Sequence, residues 1–326
     1  MRHLPIVVLS LLSSLLGAQT PLPRRFSIDA SHSNVGFAVR FMGLSTVRGA
    51  FSEYEGTVML MPNRLDLSSV SIVIATKSIN TNSATRDRHL RSPDFFDVEK
   101  YPFITFRSSE IRATNSGMMV EGALSMHGVT KRISIPMVML HQPTSDAWGN
   151  TRVTFEGGVR VNRMDYGIKG TAFWNGEFDP GRMAVSDDID IELLVSADIP
   201  NVMRWAGPVG DSLLKDVESR GVAATLSDYR AARSNPQVES WPDFAFRLVG
   251  EKLIAKERIN DGIAFYEGVV DTRPSLRTSL GEAYIKAGKP EKARVQFEKA
   301  LDADTLNTRA AEWLRVLSRV ANQRGR

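Results

Sequence analysis

Between residues 26 and 199 hydrophobic and polar positions alternate with a period of two, and after Pro200 the period lengthens to that of a helix. Val35, Phe37, Val39 and Phe41 form one apolar face, with Gly36, Ala38 and Arg40 between them. Val120, Gly122, Leu124 and Met126 form a second, Ile133, Ile135, Met137 and Met139 a third, and Val153 with Phe155 a fourth. Ile189, Ile191, Leu193 and Val195 run against Asp188, Asp190 and Glu192. About eight such segments are joined by turn sequences such as Asn115-Ser116-Gly117 and Met126-His127-Gly128. One-sided alternation predicts antiparallel strands with one buried face. Eight of them within residues 24–200 predict a small closed barrel, either filled by its own side chains or holding one slender ligand.

Residues 201–210 read as a linker and 211–322 as an all-α domain. The clearest helix spans 290–301, where Ala293 and Ala300 flank Phe297 on one face, small residues around a large knob that let two helices approach closely. Leu280, Gly281 and Tyr284 lie on the helix that would face it, with Gly288 in the turn. This pattern resembles a tetratricopeptide repeat, with Thr305 where the closing proline usually stands. A weaker copy runs through Val249, Gly250, Leu253, Gly262, Tyr266, Val269 and Pro274, and a fainter one from Leu213 through Tyr229 to Pro236. Uneven spacing of Tyr229, Tyr266 and Phe297 makes the repeats degenerate. Three helix pairs closed by a helix over 310–320 would bury a continuous core.

The first residues change the setting. Arg2 and His3 give a short basic start, residues 4–16 an apolar run, and Leu16-Gly17-Ala18 a cleavage pattern, so residues 1–18 read as a secretory signal peptide. The run is shorter than the about 20 residues that span a bilayer, and no cysteine follows it to carry a lipid anchor. The expectation is an exported protein, periplasmic or secreted. The chain of 326 residues has no cysteine, which excludes disulfides, thiolate metal sites and cysteine nucleophiles and leaves each domain to be stabilised by its own core. A net charge of +4 without a long basic run supplies no nucleic-acid-binding arm.

Chemistry concentrates in Arg86-Asp87-Arg88-His89-Leu90-Arg91-Ser92-Pro93-Asp94-Phe95-Phe96-Asp97, followed by Tyr101-Pro102-Phe103-Ile104-Thr105-Phe106. Aromatic rings so closely spaced must cover apolar surface. This block is one of six that occur in order. The others are Asp29-Ala30-Ser31-His32-Ser33, Gly43-Leu44-Ser45-Thr46-Val47-Arg48-Gly49-Ala50-Phe51, Ser78-Ile79-Asn80-Thr81, Leu124-Ser125-Met126-His127-Gly128-Val129-Thr130-Lys131 and Arg163-Met164-Asp165-Tyr166-Gly167-Ile168. Together they resemble the YceI-like family of exported bacterial proteins over residues 24–200. The resemblance implies an eight-stranded antiparallel, lipocalin-like β-barrel that holds a polyisoprenoid, an isoprenoid quinone or another long-chain lipid, with no known general catalytic activity. Phe41 stands where the family usually has histidine, which removes a polar contact at the pocket. The whole chain is thus expected to be β then α, a lipocalin-like barrel followed by tetratricopeptide-like repeats.

A lumen lined by Val35, Phe37, Val39, Phe41, Phe51, Phe96, Phe103, Ile133, Ile135, Met137 and Phe155 would be apolar, each buried ligand methylene contributing about 0.8 kcal/mol. The 12 methionines supply adaptable thioethers. The same side chains could fill a solid barrel, and the chain would then be a structural adaptor without a lipid. Arg86 and His89, with Asp87 and Arg88 between them, have two readings. They are charge-assisted donors for a lipid head group, or they belong to a local knot in which Asp87 caps a short helix and pairs with an arginine. His32, out of phase with Val35 and Phe37, reads as outward or loop-bonded, and His127 as a turn residue.

Catalytic and metal chemistry find no constellation. Beyond the signal four histidines remain, none paired at short spacing, and no His-Glu-x-x-His occurs. Gly210-Asp211-Ser212-Leu213 mimics a lipase nucleophile motif, but no histidine follows His141 and a helix N-cap explains it better. The expectation is a non-enzymatic carrier with no cofactor or metal, whose partners are a long-chain lipid in the barrel and an unidentified protein on the helices.

Overall fold

The computed structural model describes residues 22–202 and 207–324; the expected signal peptide, residues 1–18, lies outside them. The strands are β1 (Arg24–Ile28), β2 (Asn34–Phe41), β3 (Ser45–Phe51), β4 (Tyr54–Leu60), β5 (Ser69–Ala75), β6 (Ile79–Asn80) and, after helix α1 (Ala84–Arg91), β7 (Phe103–Thr114). There follow β8 (Gly117–Met126), β9 (Val129–Ser145), β10 (Thr151–Asn162), β11 (Glu177–Asp179), β12 (Arg182–Met183) and β13 (Val185–Ile199). Hydrogen bonding runs β1-β4-β5-β7-β8-β9-β10-β13 and returns from β13 to β1, so eight antiparallel strands close a barrel. The closure comes in two lengths. β1 pairs with the end of β13 at Ser27↔Asp198, whereas β2 pairs with its earlier part from Val185↔Phe41 to Leu194↔Asn34. β3 and β6 extend the sheet beyond β2.

Local turn chemistry sets the hairpins. His127 (φ 51°) and Gly128 (φ 77°) form the two-residue link between Met126 and Val129, the left-handed pair that matches the twist of adjoining strands.

The α-region contains α2 (Gly207–Ala232), α3 (Pro236–Glu239), α4 (Asp243–Ala255), α5 (Ile259–Val269), α6 (Arg277–Lys286), α7 (Pro290–Ala303) and α8 (Thr308–Arg324). α2 begins at Gly207, inside the stretch expected as linker, because Pro208 in the first turn has no amide to leave unpaired. It breaks at Gly221, whose φ of 86° is left-handed. α4 packs on α5 and α6 on α7, with Phe246, Leu253, Phe265, Tyr266, Leu280 and Phe297 buried between them. The helical core does not stop at the helices: Met59 of β4 is fully buried within it.

The join between barrel and helices is polar and tight. α8 lies across the outer faces of β4 and β5. The Thr57 and Thr308 hydroxyls are 3.0 Å apart, and the Arg25 guanidinium of β1 is 2.8 Å from the Glu282 carboxylate of α6. Small outward residues on the sheet, Thr57, Ser69 and Ser71, give the helix room to approach, and all three are buried.

Candidate functional site

The barrel interior follows from strand phase. On β5 the sequence Ser69-Val70-Ser71-Ile72-Val73-Ile74 sends Val70, Ile72 and Ile74 inward and the serines outward toward α8. β7 sends Ile104 and Phe106 inward; a register shift between Ser108 and Glu110 then resets the phase so that Ile111 also faces the lumen. β8 adds Met118, Val120 and Leu124, and Gly122 lies so close to the Phe106 ring that a Cβ there would meet Cζ at 2.6 Å. Ile133, Ile135 and Met137 of β9, Phe155, Val159 and Val161 of β10, and Ile191, Leu193 and Val195 of β13 complete the wall.

These side chains surround a cavity of about 170 Å³ whose exposed wall is apolar. Close-packed interiors leave few voids larger than a water molecule, and an apolar cavity of about 150 Å³ stays dry and accepts a small hydrocarbon. The lumen is therefore hollow. Ser68, beside Leu65 at one end, is the single polar residue in its lining.

The residues singled out by sequence do not all meet there. Val35, Phe51, Ile133, Ile135, Met137 and Phe155 line the cavity. Phe37 packs on Phe51 with ring centres 5.9 Å apart, and Phe41 lies 6.3 Å from Trp174; neither they nor Val39 border the cavity. Phe96 meets Phe51 edge-on at 5.9 Å and, with Leu90, seals the α1 end of the barrel. Phe103 is a correction: it is 44% exposed on the outside of the barrel. Phe103 and Ile104 are both apolar, and Ile104, paired with Ile74, takes the inward phase. Ile72, Ile74, Ile104, Phe106 and Met118 line the lumen and were not among the expected residues, although Val70, Ile72 and Ile74 already alternate in the sequence.

The polar residues of the α1 block tie the chain to itself. Asp87, buried in α1, accepts hydrogen bonds from the Thr81 amide at 2.8 Å and the Thr81 hydroxyl at 2.5 Å. It does not cap the helix, whose N-cap position is Ser83, because its carboxylate is already engaged with Thr81. Arg86 donates to the Thr81 hydroxyl at 2.7 Å and carbonyl at 2.8 Å, and Arg91 donates to the carbonyls of Lys77 and Ile79. His89 lies 2.9 Å from Asp94 and packs edge-on against Phe95, on the outer side of the seal. Arg86 and His89 are thus placed away from the lumen, in the local knot.

The remaining charged groups stitch loops. Arg163 is buried and donates to the carbonyls of Ile168, Lys169, Val185 and Ser186 and to Asp187, which folds the segment after β10 over the barrel end. Burial pushes its guanidinium down, against the pull of Asp187. Asp29 holds Arg152 at 2.7 Å; burial would raise its carboxyl, but hydrogen bonds from Ser31, Arg152 and His32 bring it well below the usual range. His32 is bonded to Asp29 at 2.7 Å and His127 to the Tyr166 carbonyl at 3.0 Å. Among the described residues no group of three His, Asp or Glu side chains is arranged to hold a metal ion.

The family described as YceI-like domain matches residues 26–197, slightly more than half of the chain. The chain belongs to the YceI-like family. It is 34% identical over 166 residues to a UPF0312 protein of Pseudomonas paraeruginosa, covering 50% of this chain and 86% of that one. It is 33% identical over 189 residues to a UPF0312 protein of Pseudomonas syringae pv. tomato, covering 57% and 93%. Among solved structures it is similar to Burkholderia cenocepacia BcnA, with 20% identity, a TM-score of 0.46 and coverage of 52% and 98%. A polyisoprenoid binding domain from Saccharophagus degradans aligns with 16% identity and a TM-score of 0.39, covering 54% and 98%. The YceI-like match ends at residue 197, before α2 begins.

Proposed function

We propose that the barrel binds the apolar tail of a polyisoprenoid, an isoprenoid quinone or a similar long-chain amphiphile. One observation carries this reading: an apolar wall of inward side chains from all eight barrel strands encloses a hollow of about 170 Å³. The expectation set by the family resemblance is the same. Ten buried methylenes contribute about 8 kcal/mol, comparable to the roughly 4–15 kcal/mol lost on association, so tight binding requires a longer chain. Met118 and Met137 in the wall can turn to lengthen the hollow for it. With only Ser68 to offer a polar group, selection acts on the tail and not on a head group.

The apolar run at residues 4–16 supports export to the periplasm or beyond, where such a tail must be kept from water. The helix pairs α4–α5 and α6–α7, with knobs Tyr266 and Phe297 in corresponding places, support a tetratricopeptide-like unit that docks a protein partner. The function proposed is sequestration and delivery, with no chemical step.

The test is mass spectrometry of the organic extract from the intact chain purified out of membrane-containing cells, with titration by a long-chain fluorescent probe. A recoverable long-chain lipid and saturable uptake are expected. Absence of both would overturn the carrier reading and leave an adaptor whose barrel holds no lipid.

A further inference from the structure

Where β5 and β7 should continue side by side, the ladder stops. Their paired residues run from Ala75↔Phe103 to Ser71↔Arg107 and no further. Beyond that point the Val70 amide turns to the Ser108 hydroxyl at 2.9 Å instead of a backbone carbonyl, and β7 bulges away at Ser109. The wall is continued by a 3-10 turn, Leu65–Leu67, resting on β7. Leu65, Ser68 and Val70 on one side and Ile111 on the other line the cavity, so the break in the ladder faces the lumen.

α8 lies over this seam and bonds both of its edges. The Arg319 guanidinium donates to the Ser68 carbonyl at 3.3 Å and the Asp66 carbonyl at 3.5 Å on the β5 side, and to the Ser109 carbonyl at 3.3 Å on the β7 side. One turn earlier the bridge is built from two residues. Glu312 accepts from the Ser69 hydroxyl, Arg315 donates to the Ser108 carbonyl and hydroxyl, and Glu312 and Arg315 pair with each other at 3.4 Å. Two charged bridges from one helix therefore stand in for the missing backbone ladder.

We propose that the β5–β7 seam is the passage by which a lipid tail enters and leaves the lumen, and that α8 is the clasp that holds it shut. The helical unit then sets the rate of loading and release, and a partner that draws α8 from the barrel triggers exchange. This rests on the lipid-carrier reading above. Elsewhere the wall around the lumen is closed by backbone ladders, except where β9 and β10 part beyond Met137↔Gly157, with the Arg163–Tyr166 turn of the barrel itself packed on β9, and at the α1 end, which Leu90 and Phe96 seal under the Thr81–Asp87–Arg86 knot. The seam differs in being held by side chains of a separate unit. Side-chain bonds can be released without breaking backbone hydrogen bonds of the barrel.

The test compares exchange kinetics in three forms of the full chain, using a pyrene-labelled fatty acid. Arg319→Ala removes one bridge and should speed both uptake and release by about tenfold while leaving their ratio, and so Kd, unchanged. Thr57→Cys with Thr308→Cys places two thiols where hydroxyls lie 3.0 Å apart across the barrel–α8 join, in a chain that has no other cysteine. Oxidation of that pair should slow both rates, and reductant should restore them. Unchanged rates in either variant overturn the clasp. Hydrogen exchange keeps the two ideas separate. If the unaltered chain takes up no probe, the lipid reading falls. Faster exchange at residues 69–70 and 108–109 in Arg319→Ala would still uphold the clasp, and unaltered exchange there would overturn it.

Discussion

Phe297 rests on Gly281 so closely that a Cβ at the glycine would come within 2.4 Å of the ring, and Tyr266 rests on Gly250 in the same way at 2.2 Å. Each aromatic follows its glycine by 16 residues, and the two pairs stand 31 residues apart. The helical region is thus periodic where it packs, even though Tyr229 falls out of step. Gly281→Ala gains up to about 1 kcal/mol of helix propensity but forces the ring aside at a cost of about 1–3 kcal/mol. Net destabilisation of the helical unit is expected in a denaturant titration, with partial recovery when Phe297→Leu is added. A neutral or stabilising Gly281→Ala would contradict the packing described.

Glu282 joins the two halves and makes their union depend on acid. Burial alone would raise its carboxyl, but Arg309 and Arg25, with hydrogen bonds from Arg309 and Trp313, hold it down to about 2 from an ordinary 4.5. A depressed carboxylate contributes stability that is fully present above its unfolded value and is lost as pH falls through its folded one. The barrel–helix join should hold above about pH 5 and weaken between pH 4.5 and 2, by on the order of 3 kcal/mol. Glu282→Gln leaves Arg25 and Arg309 without their shared anion and should cost about 3–5 kcal/mol at neutral pH. Its unfolding midpoint should also lose part of the acid dependence; an unaltered pH profile would refute the assignment.

Filling the hollow should abolish lipid uptake without touching the surface. Val120→Trp puts an indole into the cavity and is expected to eliminate probe binding, with a strain of about 1–3 kcal/mol. Phe103→Ser, on the outside, should leave binding intact and change stability by no more than about 0.5 kcal/mol. Equal binding losses in the two would mean that probe uptake is not a property of the lumen.

Arg86 and His89 separate a knot from a head-group site. Arg86→Ala should lower stability by about 1–2 kcal/mol through the two bonds lost to Thr81, and His89→Ala by less. Neither should distinguish an acidic probe from its neutral ester. Selective loss of the acidic probe in Arg86→Ala would restore the head-group role.

Asp87→Ala leaves the Thr81 amide and hydroxyl buried without an acceptor, at about 1–3 kcal/mol each. Limited proteolysis should then cut first within residues 81–98, the crossover that seals the barrel end. Cleavage elsewhere first would mean that this carboxylate is not what holds the crossover.

The order β then α, the set of about eight strands and a closing helix over 310–320, observed as Thr308–Arg324, were legible, because each rests on periodicity within one segment. Phe103 shows where that legibility ends. Next to Ile104 the pattern offers two apolar phases, and only pairing with Ile74 of β5 selects between them. Ile111 was hidden for a related reason, since the bulge at Ser109 breaks the alternation that would have pointed to it. Ser69 and Ser71 read as an ordinary wet strand face, and nothing local indicates that α8 buries them. The α1 block was recognised as a knot or a head-group site, and the choice required Asp87, Arg86 and Thr81 in three dimensions.

By itself the sequence determined which residues would form strands and helices, where they would turn, and that enough apolar side chains share one phase to make a greasy interior. Those properties are local: a pleat alternates every two residues and a helix repeats every 3.6, whatever lies beyond them. The tertiary structure alone decided that the interior stays hollow, which of the two neighbours Phe103 and Ile104 faces it, and that β5 and β7 part where α8 bonds both edges. Void volume, register and the covering of an outer face depend on residues tens to hundreds of positions apart, such as Ser108 and Arg315, which no short-range pattern relates.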